Sequence, residues 1–206
     1  MDQIIHARLI EPVLPSNLVM NRPLIEELRR AVCDQRITFL HAPSGYGKTV
    51  AMCELSGILR QEGYGTSWLS IDPALSDPTQ FWAHVHASFG ESAFCPATEH
   101  DKLAGDGESL ADILFQHRGE VKGERFVFFD AFNRISSLSL IDDFLRFCFE
   151  APPEYHFVVG TREFLESFKT ATFKYGEHVF EARDLTITQV EAEELVRDSC
   201  GSAFSD

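Results

Sequence analysis

The sequence predicts an α/β fold in which a parallel sheet of about five strands carries helices on both faces. Short apolar segments alternate along the chain with longer segments of helical periodicity, which is the pattern of strand–helix–strand units. A glycine-bearing loop at residues 41–50, HAPSGYGKTV, joins the first apolar segment directly to a helix. With 206 residues, of which 44% are hydrophobic, the chain can bury the core of one large domain, or of one domain and a fragment of the next.

The strands are predicted from short apolar runs, and the helices from segments that begin and end at capping residues. Pro23 stands near the start of one helix, Asp77 caps another, and Pro152 follows the end of a third. The predicted strands cover residues 37–40, 66–72, 125–130, 155–161 and 177–182. The predicted helices cover residues 21–32, 48–63, 78–89, 109–118, 138–151 and 189–199, the last capped by Thr188.

The remaining segments are predicted from their turn-forming residues. Pro12 and Pro15 favour an extended N-terminal segment over residues 1–20. The polar stretch at 93–107 is rich in turn residues and is predicted to be a loop. Because the sequence ends at Asp206, soon after a predicted helix, we expect it to be cut from a longer protein.

Composition excludes several classes of function. A formal net charge of -14 argues against binding of nucleic acid or an anionic membrane by this chain alone. The five cysteines are scattered without a C-x-x-C spacing, which is typical of thiols in a reducing cytosol and not of a disulfide framework or a zinc site. The N-terminus has no secretory signal, and no apolar run approaches the ~20 residues of a membrane span. These features predict a cytoplasmic protein.

The loop after the first predicted strand fits the Walker A pattern, with alanine at the position where glycine is commonest. Small residues let backbone N–H groups turn towards phosphates, the lysine reaches the β- and γ-phosphates, and the hydroxyl binds Mg²⁺ at a helix N-terminus. Placement between a strand and a helix favours a nucleotide site over a glycine-rich turn. The sequence therefore predicts a P-loop NTPase fold that binds ATP or ADP through Ala42, Pro43, Ser44, Gly45, Tyr46, Gly47, Lys48 and Thr49.

A Walker A loop needs a carboxylate at the end of another buried strand, which helps to hold the magnesium ion. Asp130 follows four consecutive apolar residues in RFVFFD, at 125–130, and is the candidate. Thr49 and Asp130 are thus the predicted Mg²⁺-binding pair. The alternative, that Asp130 only caps a turn, is less favoured beside so complete a phosphate loop.

Five stretches of the chain, in order, resemble the nucleotide-binding domain of MalT-like large LuxR-type transcription regulators, which are STAND signalling NTPases. The matching stretches are VMNRPLIEELRRAV with ITFLHAPSGYGKTVAM, TSWLSIDPALSDPTQFWAHV, FVFFDAFNRI, FVVGTREF and FEARDLTITQVEAEEL. The resemblance implies an ATP-controlled switch whose self-association and whose DNA binding, through a C-terminal helix-turn-helix beyond residue 206, belong to the longer parent protein. Beside the extended segment at 1–20, it implies a nucleotide-binding domain at 21–184 and the start of a lid subdomain at 185–206.

Two arginines take roles only through this resemblance. Arg22 would lie near the adenine, and Arg162 would be the sensor arginine that faces the γ-phosphate. A helix-flanking surface charge for Arg22, and a solvated residue after a strand for Arg162, are the alternatives that remain open.

The catalytic prediction depends on the residue after Asp130. The family pattern places a second acid there, suited to orienting or deprotonating water, whereas this chain has Ala131. A methyl group does neither, so we expect hydrolysis to be slow or negligible. Asp72, at the end of the predicted strand 66–72, is the fallback base. A P-loop small-molecule kinase and a DNA-acting ATPase are the rival functions; the first usually has an arginine-rich lid after the third strand, and the second is disfavoured by the net charge.

Overall fold

A computed structural model of the chain describes residues 4–14, 22–89, 107–116 and 123–186. Within these ranges five strands alternate with six helices. The strands are β1 (Ile37–His41), β2 (Gly65–Ser70), β3 (Arg125–Asp130), β4 (Tyr155–Thr161) and β5 (His178–Glu181). The helices are α1 (Arg22–Asp34), α2 (Lys48–Gln61), α3 (Pro78–Ser88), α4 (Gly107–Gln116), α5 (Leu138–Glu150) and α6 (Glu166–Tyr175).

The five strands form one parallel sheet in the order β2-β3-β4-β1-β5. Strand β4 lies between β1, which precedes the phosphate loop, and β3, which ends at Asp130. Cross-strand pairs of Ser70 with Asp130 and of His41 with Thr161 bring the carboxyl ends of the strands to one edge. Residues that follow these ends therefore meet there, which is where open parallel sheets bind ligands.

Each face of the sheet is covered by its own set of helices. In β3, Val127 and Phe129 pack with α3, α4, α5 and α6 in one core, whereas Phe126 and Phe128 pack with α1 and α2 in the other. This alternation follows from the two-residue period of a strand, and both sets are apolar because both faces are buried. The predicted parallel α/β sheet with helices on both faces is confirmed.

The N-terminal segment was predicted to be extended, but His6–Leu9 within it form a 3-10 helix. Pro12 and Pro15 lie beyond this turn, so they do not prevent it. The segment 4–14 passes beside the edge strand β2: Ile5 N–H donates to His84 Nε2 on α3 at 3.1 Å, and Glu11 accepts from Ser56 on α2 at 2.9 Å. It therefore links the helices on the two faces across an edge that would otherwise be open.

Helix α6 was not predicted, because its sequence, ESFKTATFKY, has a weak apolar pattern and two threonines of low helix propensity. It is nevertheless held by tertiary contacts, since Phe168 and Ala171 are buried in the core. Most of the predicted loop at 93–107 and the predicted helix at 189–199 lie outside the described residues. Among the helices that the structure describes, none is long and apolar enough to cross a membrane.

Candidate phosphate-binding site

A cavity of about 380 Å³ lies at the carboxyl edge of the sheet, between the phosphate loop and the ends of β3 and β4. Its walls come from the Walker A loop and the start of α2 on one side, and from the segments after β3 and β4 on the other. The lining residues are Ser44, Gly45, Gly47, Lys48, Thr49, Val50, Asp130, Ala131, Asn133, Arg134 and Arg162.

The phosphate loop has the backbone shape that its glycines allow. Gly45 and Gly47 have φ values of 89° and 78°, in the left-handed region where a side chain is strained. Gly47 is the N-cap of α2, so the unpaired N–H groups of the first helical turn lie beside the cavity. A helix N-terminus of this kind favours an anion through its N–H groups and its dipole.

Ala42, the departure from glycine in the Walker A pattern, is compatible with this loop. Its N–H donates to the carbonyl of Thr161 at the end of β4, at 3.2 Å. Its methyl group is fully buried in the core beneath α1 and α2. Alanine therefore fills space in the core here and does not obstruct the loop.

Lys48 is the buried cation of the site. Its ammonium donates to the carbonyls of Ala42 and Pro43, at 2.5 and 2.8 Å, and the residue is only 8% exposed. Burial lowers the pKa of Lys48, and nearby Arg162 lowers it further, whereas Asp130 opposes the shift. The two carbonyls hold the ammonium at the base of the loop, within reach of the cavity that it lines.

Thr49 and Asp130 are brought together as predicted. The Thr49 hydroxyl lies 3.0 Å from each carboxylate oxygen of Asp130. Burial raises the pKa of Asp130, and the opposing influences, in order, are the Thr49 hydroxyl, the Ala131 N–H, Lys48 and Arg134. A hydroxyl and a carboxylate in contact form the kind of oxygen donor set that Mg²⁺ prefers.

Gly160 in β4 makes room for this carboxylate. A Cβ atom there would lie 2.8 Å from Met52 Sδ on α2 and 3.3 Å from Asp130 Oδ1. The absence of a side chain at this position therefore lets α2 and the Asp130 carboxylate approach β4 closely. Sequence reasoning missed this residue, because its importance depends on β4 lying beside β3.

Arg162 lies where the strand order places it, directly after β4 and between the phosphate loop and Asp130. Arg162 is exposed and is among the residues that line the cavity, and its charge acts on Lys48. Its backbone N–H donates to Asn133 Oδ1 at 3.3 Å. This bond connects the segment after β4 to the segment after β3. The lining of the cavity thus has Arg162 on the wall opposite the loop.

Asn133 and Arg134 also line the cavity, and sequence reasoning missed both. They belong to a 3-10 turn, Phe132–Arg134, that begins after Ala131. Ala131 has a φ of 59°, and among the described residues it is the one non-glycine residue with a positive φ. A sequence signal existed in the polar pair that follows the buried strand, but its direction depends on this unusual backbone conformation.

Asp72 is engaged away from the cavity. Its carboxylate accepts the N–H of Ala74 at 2.8 Å, as the N-cap of a 3-10 helix, and forms an ion pair with Arg8 of the N-terminal segment. Strand β2 was predicted to end at Asp72, but it ends at Ser70, two residues earlier. Asp72 is not among the residues that line the cavity.

The remaining predicted residues differ in how far the structure places them. Pro43 and Tyr46 belong to the loop but are exposed and do not line the cavity. Arg22 is the first residue of α1, and its side chain lies outside the described part of the structure. Its predicted position near an adenine stays a prediction.

The residues present fit a magnesium nucleotide. The cavity combines helix N–H groups, a buried lysine, a threonine–carboxylate pair and two arginines, all in a chain of net charge -14. Three cations and one carboxylate line it, so the cavity attracts anions despite the acidic chain. When bound, Mg²⁺ would neutralise phosphate charge beside Thr49 and Asp130.

Sequence comparison finds two kinds of relative at low identity. The serine/threonine-protein kinase PknK of Mycobacterium tuberculosis is 28% identical over 101 residues, which are 46% of this chain and 9% of that protein. The HTH-type transcriptional regulator MalT of Yersinia enterocolitica is 25% identical over 156 residues, 73% of this chain and 17% of that protein. The chain thus spans less than a fifth of the length of these curated relatives. No family model matches the chain.

Solved structures share the fold at still lower identity. The Walker-type ATPase PABY2304 of Pyrococcus abyssi matches with a TM-score of 0.61 and 11% identity, over 92% of this chain and 60% of that one. The ORC1 protein of Aeropyrum pernix, solved in complex with DNA, matches with a TM-score of 0.52 and 11% identity, over 91% of this chain and 51% of that one. The chain has the α/β fold of P-loop NTPases.

Proposed function

We propose that this chain is the ATP-binding switch module of a LuxR/MalT-type transcriptional regulator, which holds ATP or ADP with Mg²⁺ and hydrolyses ATP slowly or negligibly. The observation that carries the proposal is the cavity in which Lys48 and the Thr49–Asp130 pair face Arg162. Every one of these side chains matches a part that P-loop NTPases use to bind phosphates and Mg²⁺.

The regulator assignment is supported by the similarity to MalT, which covers 73% of this chain. The similarity to PknK covers a shorter part, 46% of the chain. A segment shared by two proteins of different name, and small relative to both, is typical of a module that serves different parent proteins. Nucleotide-dependent self-association and DNA binding through a helix-turn-helix are proposed for the parent protein. Residues 21–184 are the proposed nucleotide-binding domain, and 185–206 the proposed start of a lid.

Slow hydrolysis is supported by the two candidate positions for a catalytic base, residues 131 and 72. Ala131 lines the cavity where a second acid would act, and its methyl group neither accepts a proton nor orients water. The fallback base, Asp72, has its carboxylate paired with Arg8 and the Ala74 N–H. A site that binds ATP without an activated water suits a switch better than a turnover enzyme.

The direct test is the release of phosphate from Mg-ATP by the 206-residue chain. We expect roughly one turnover per minute or less, against the ~10 s⁻¹ median of enzymes. Brisk hydrolysis that Asp72→Asn abolishes would contradict the proposal and make Asp72 the base.

The kinase alternative is tested in the same assay with candidate phosphate acceptors added. We expect the rate of ADP formation to be unchanged by sugars, nucleosides or hydroxyl-bearing peptides. A large increase with any one acceptor would favour the kinase. The DNA-acting ATPase is tested by a gel shift at physiological salt, in which we expect no sequence-specific complex.

A further inference from the structure

The 3-10 turn Phe132–Arg134 brings a third cation to the cavity that no sequence pattern assigns. The turn is fixed by Phe132, which is 1% exposed and packs against the rings of Phe81, Phe144 and Phe168. Ala131, immediately before the turn, has a left-handed backbone conformation. Because the phenylalanine is buried in the core, the polar residues after it are left at the edge of the cavity.

Arg134 is among the residues that line the cavity, and it is exposed. Its guanidinium forms no ion pair with an acidic side chain of the described residues. One of its nitrogens donates to the Ile71 carbonyl after β2, at 3.3 Å. A single, rather long bond to a neutral carbonyl leaves most of its five N–H donors available. The charge of Arg134 nevertheless acts on the site, since it lowers the pKa of Asp130.

The two arginines lie on the wall opposite the phosphate loop. Arg162 follows β4 and Arg134 follows β3, and Asn133 joins the two segments by accepting the Arg162 N–H at 3.3 Å. The loop N–H groups and Lys48 are suited to the inner phosphates of a nucleotide. A second wall with two guanidiniums is suited to the terminal phosphate, because a planar fork binds phosphate oxygens in pairs.

We propose that Arg134 binds the terminal phosphate of a nucleoside triphosphate together with Arg162, so that the cavity distinguishes a triphosphate from a diphosphate. This inference rests on the proposed nucleotide site and adds to it a residue for specificity. The positive charges of Arg134 and Arg162 exceed the single negative charge of Asp130 in this lining. A terminal phosphate bound to both arginines would offset the excess, whereas a diphosphate has no such group. The segments that follow β2 and β3 would then respond, through Arg134, to whether a triphosphate or a diphosphate is bound.

The test is the affinity of the 206-residue chain for a non-hydrolysable ATP analogue and for ADP, both with Mg²⁺, measured by calorimetry. Arg134→Gln should weaken binding of the triphosphate analogue about 10-fold and should change the affinity for ADP by no more than about 2-fold. Arg146→Gln is the matched control, since it removes the same charge from an exposed position on α5, and it should change neither affinity.

The outcomes separate the inference from the proposed function. If the wild-type chain binds neither nucleotide, the site itself is wrong and the inference falls with it. If the wild-type chain binds the nucleotides, and Arg134→Gln weakens the binding of both equally or of neither, only the inference is overturned. Melting without nucleotide checks that each variant folds. Should Arg134→Gln unfold, Arg134→Lys decides by the same criterion, because it keeps the charge and lacks the planar fork.

Discussion

Asp130 and Asp72 follow neighbouring parallel strands at the same edge of the sheet, but the chain around them differs. Asp130 contacts the Thr49 hydroxyl at 3.0 Å, and its backbone continues into the walls of the cavity. Asp72 is paired with Arg8 and caps a 3-10 helix. Burial raises the pKa of Asp130, whose carboxylate has a hydroxyl and backbone groups around it. The Asp130 carboxylate lines the cavity beside the Thr49 hydroxyl, where Mg²⁺ would bind, and the Asp72 carboxylate stabilises the fold.

The difference comes from the segments that surround the ends of the strands and not from the strands themselves. A cavity lies over β3 and β4 because the phosphate loop and the Ala131 turn leave space there, whereas the end of β2 is covered by the N-terminal segment. Burial of the Asp130 carboxylate outweighs the groups that favour its charge, and functional sites commonly retain such groups at a cost in stability. Neutral substitutions of Asp130 and of Asp72 should therefore change the stability of the fold in opposite directions.

The largest expected effect comes from giving the phosphate-binding edge the acid that it lacks. Ala131→Asp should raise ATP hydrolysis by about 10²-fold or more, because general-base catalysis is typically worth 10²–10⁴-fold. Aspartate is preferred to glutamate because it tolerates the left-handed backbone conformation at this position. Phosphate release under saturating Mg-ATP measures the effect.

The matched control is Ala131→Asn, which has the same shape and the same tolerance of that conformation but accepts no proton. Hydrolysis should stay at the wild-type rate in this variant, and ATP affinity should be similar in both. Equal rates in the Asp and Asn variants would show that a base at 131 is not what limits turnover.

A smaller effect is expected when each aspartate is made neutral. Asp130→Asn should weaken Mg²⁺-dependent ATP binding by about 10- to 100-fold, the range typical of residues that support a bound metal ion. Asp72→Asn should leave that binding unchanged. Titration with ATP in the presence and absence of Mg²⁺ separates the two variants.

In the absence of nucleotide, the same two variants should change the Tm in opposite directions. The raised pKa of Asp130 means that its charge opposes folding above that pKa, so Asp130→Asn should melt a few degrees higher. Asp72→Asn keeps the N-cap but weakens the ion pair with Arg8, and should lose about 1 kcal/mol of unfolding free energy. A loss of stability in Asp130→Asn would contradict the view that burial of the Asp130 charge destabilises the fold.

The smallest effect concerns the histidine that holds the N-terminal segment. His84 Nε2 accepts from Ile5 and lies 3.2 Å from Arg8, while its Nδ1 donates to the Gln80 carbonyl, so the ring must be neutral. Burial lowers the pKa of His84; Gln80 and Asp72 raise it, whereas Arg8 and His6 lower it further.

A lowered histidine pKa means that the unfolded chain binds the proton more readily. The contribution to stability is therefore full above the unfolded value of 6.5 and is lost as the pH falls below it. Between pH 7.5 and 5.5 the Tm of the wild-type chain should fall a few degrees more than that of His84→Gln. Parallel pH profiles would exclude His84 as the cause.

The sequence predicted those parts of the molecule that depend on local pattern. Five strands, the Walker A loop, the Thr49–Asp130 pair and the Asp77 cap of α3 lie where periodicity and capping residues indicated. Helix α6 was missed because its apolar pattern is weak and tertiary packing stabilises it.

What the sequence could not predict depends on residues far apart in the chain. The role of Asp72 is set by Arg8, 64 positions earlier, and the space around Asp130 is set by Gly160 in another strand. Asn133 and Arg134 line the cavity after Ala131, whose left-handed conformation the sequence does not indicate. Single-sequence patterns contain none of this information.

The most direct test of the central claim is thermal unfolding of the 206-residue chain with Mg-ATP at about 100 times its dissociation constant. Binding of that strength adds about 2.7 kcal/mol to the free energy of unfolding. We therefore expect the Tm to rise by roughly 5–10 °C, and Lys48→Ala to remove most of the rise. Lys169→Ala, an exposed lysine on α6, is the control and should keep it. An unchanged Tm of the wild-type chain in millimolar ATP, ADP and GTP would contradict the nucleotide site.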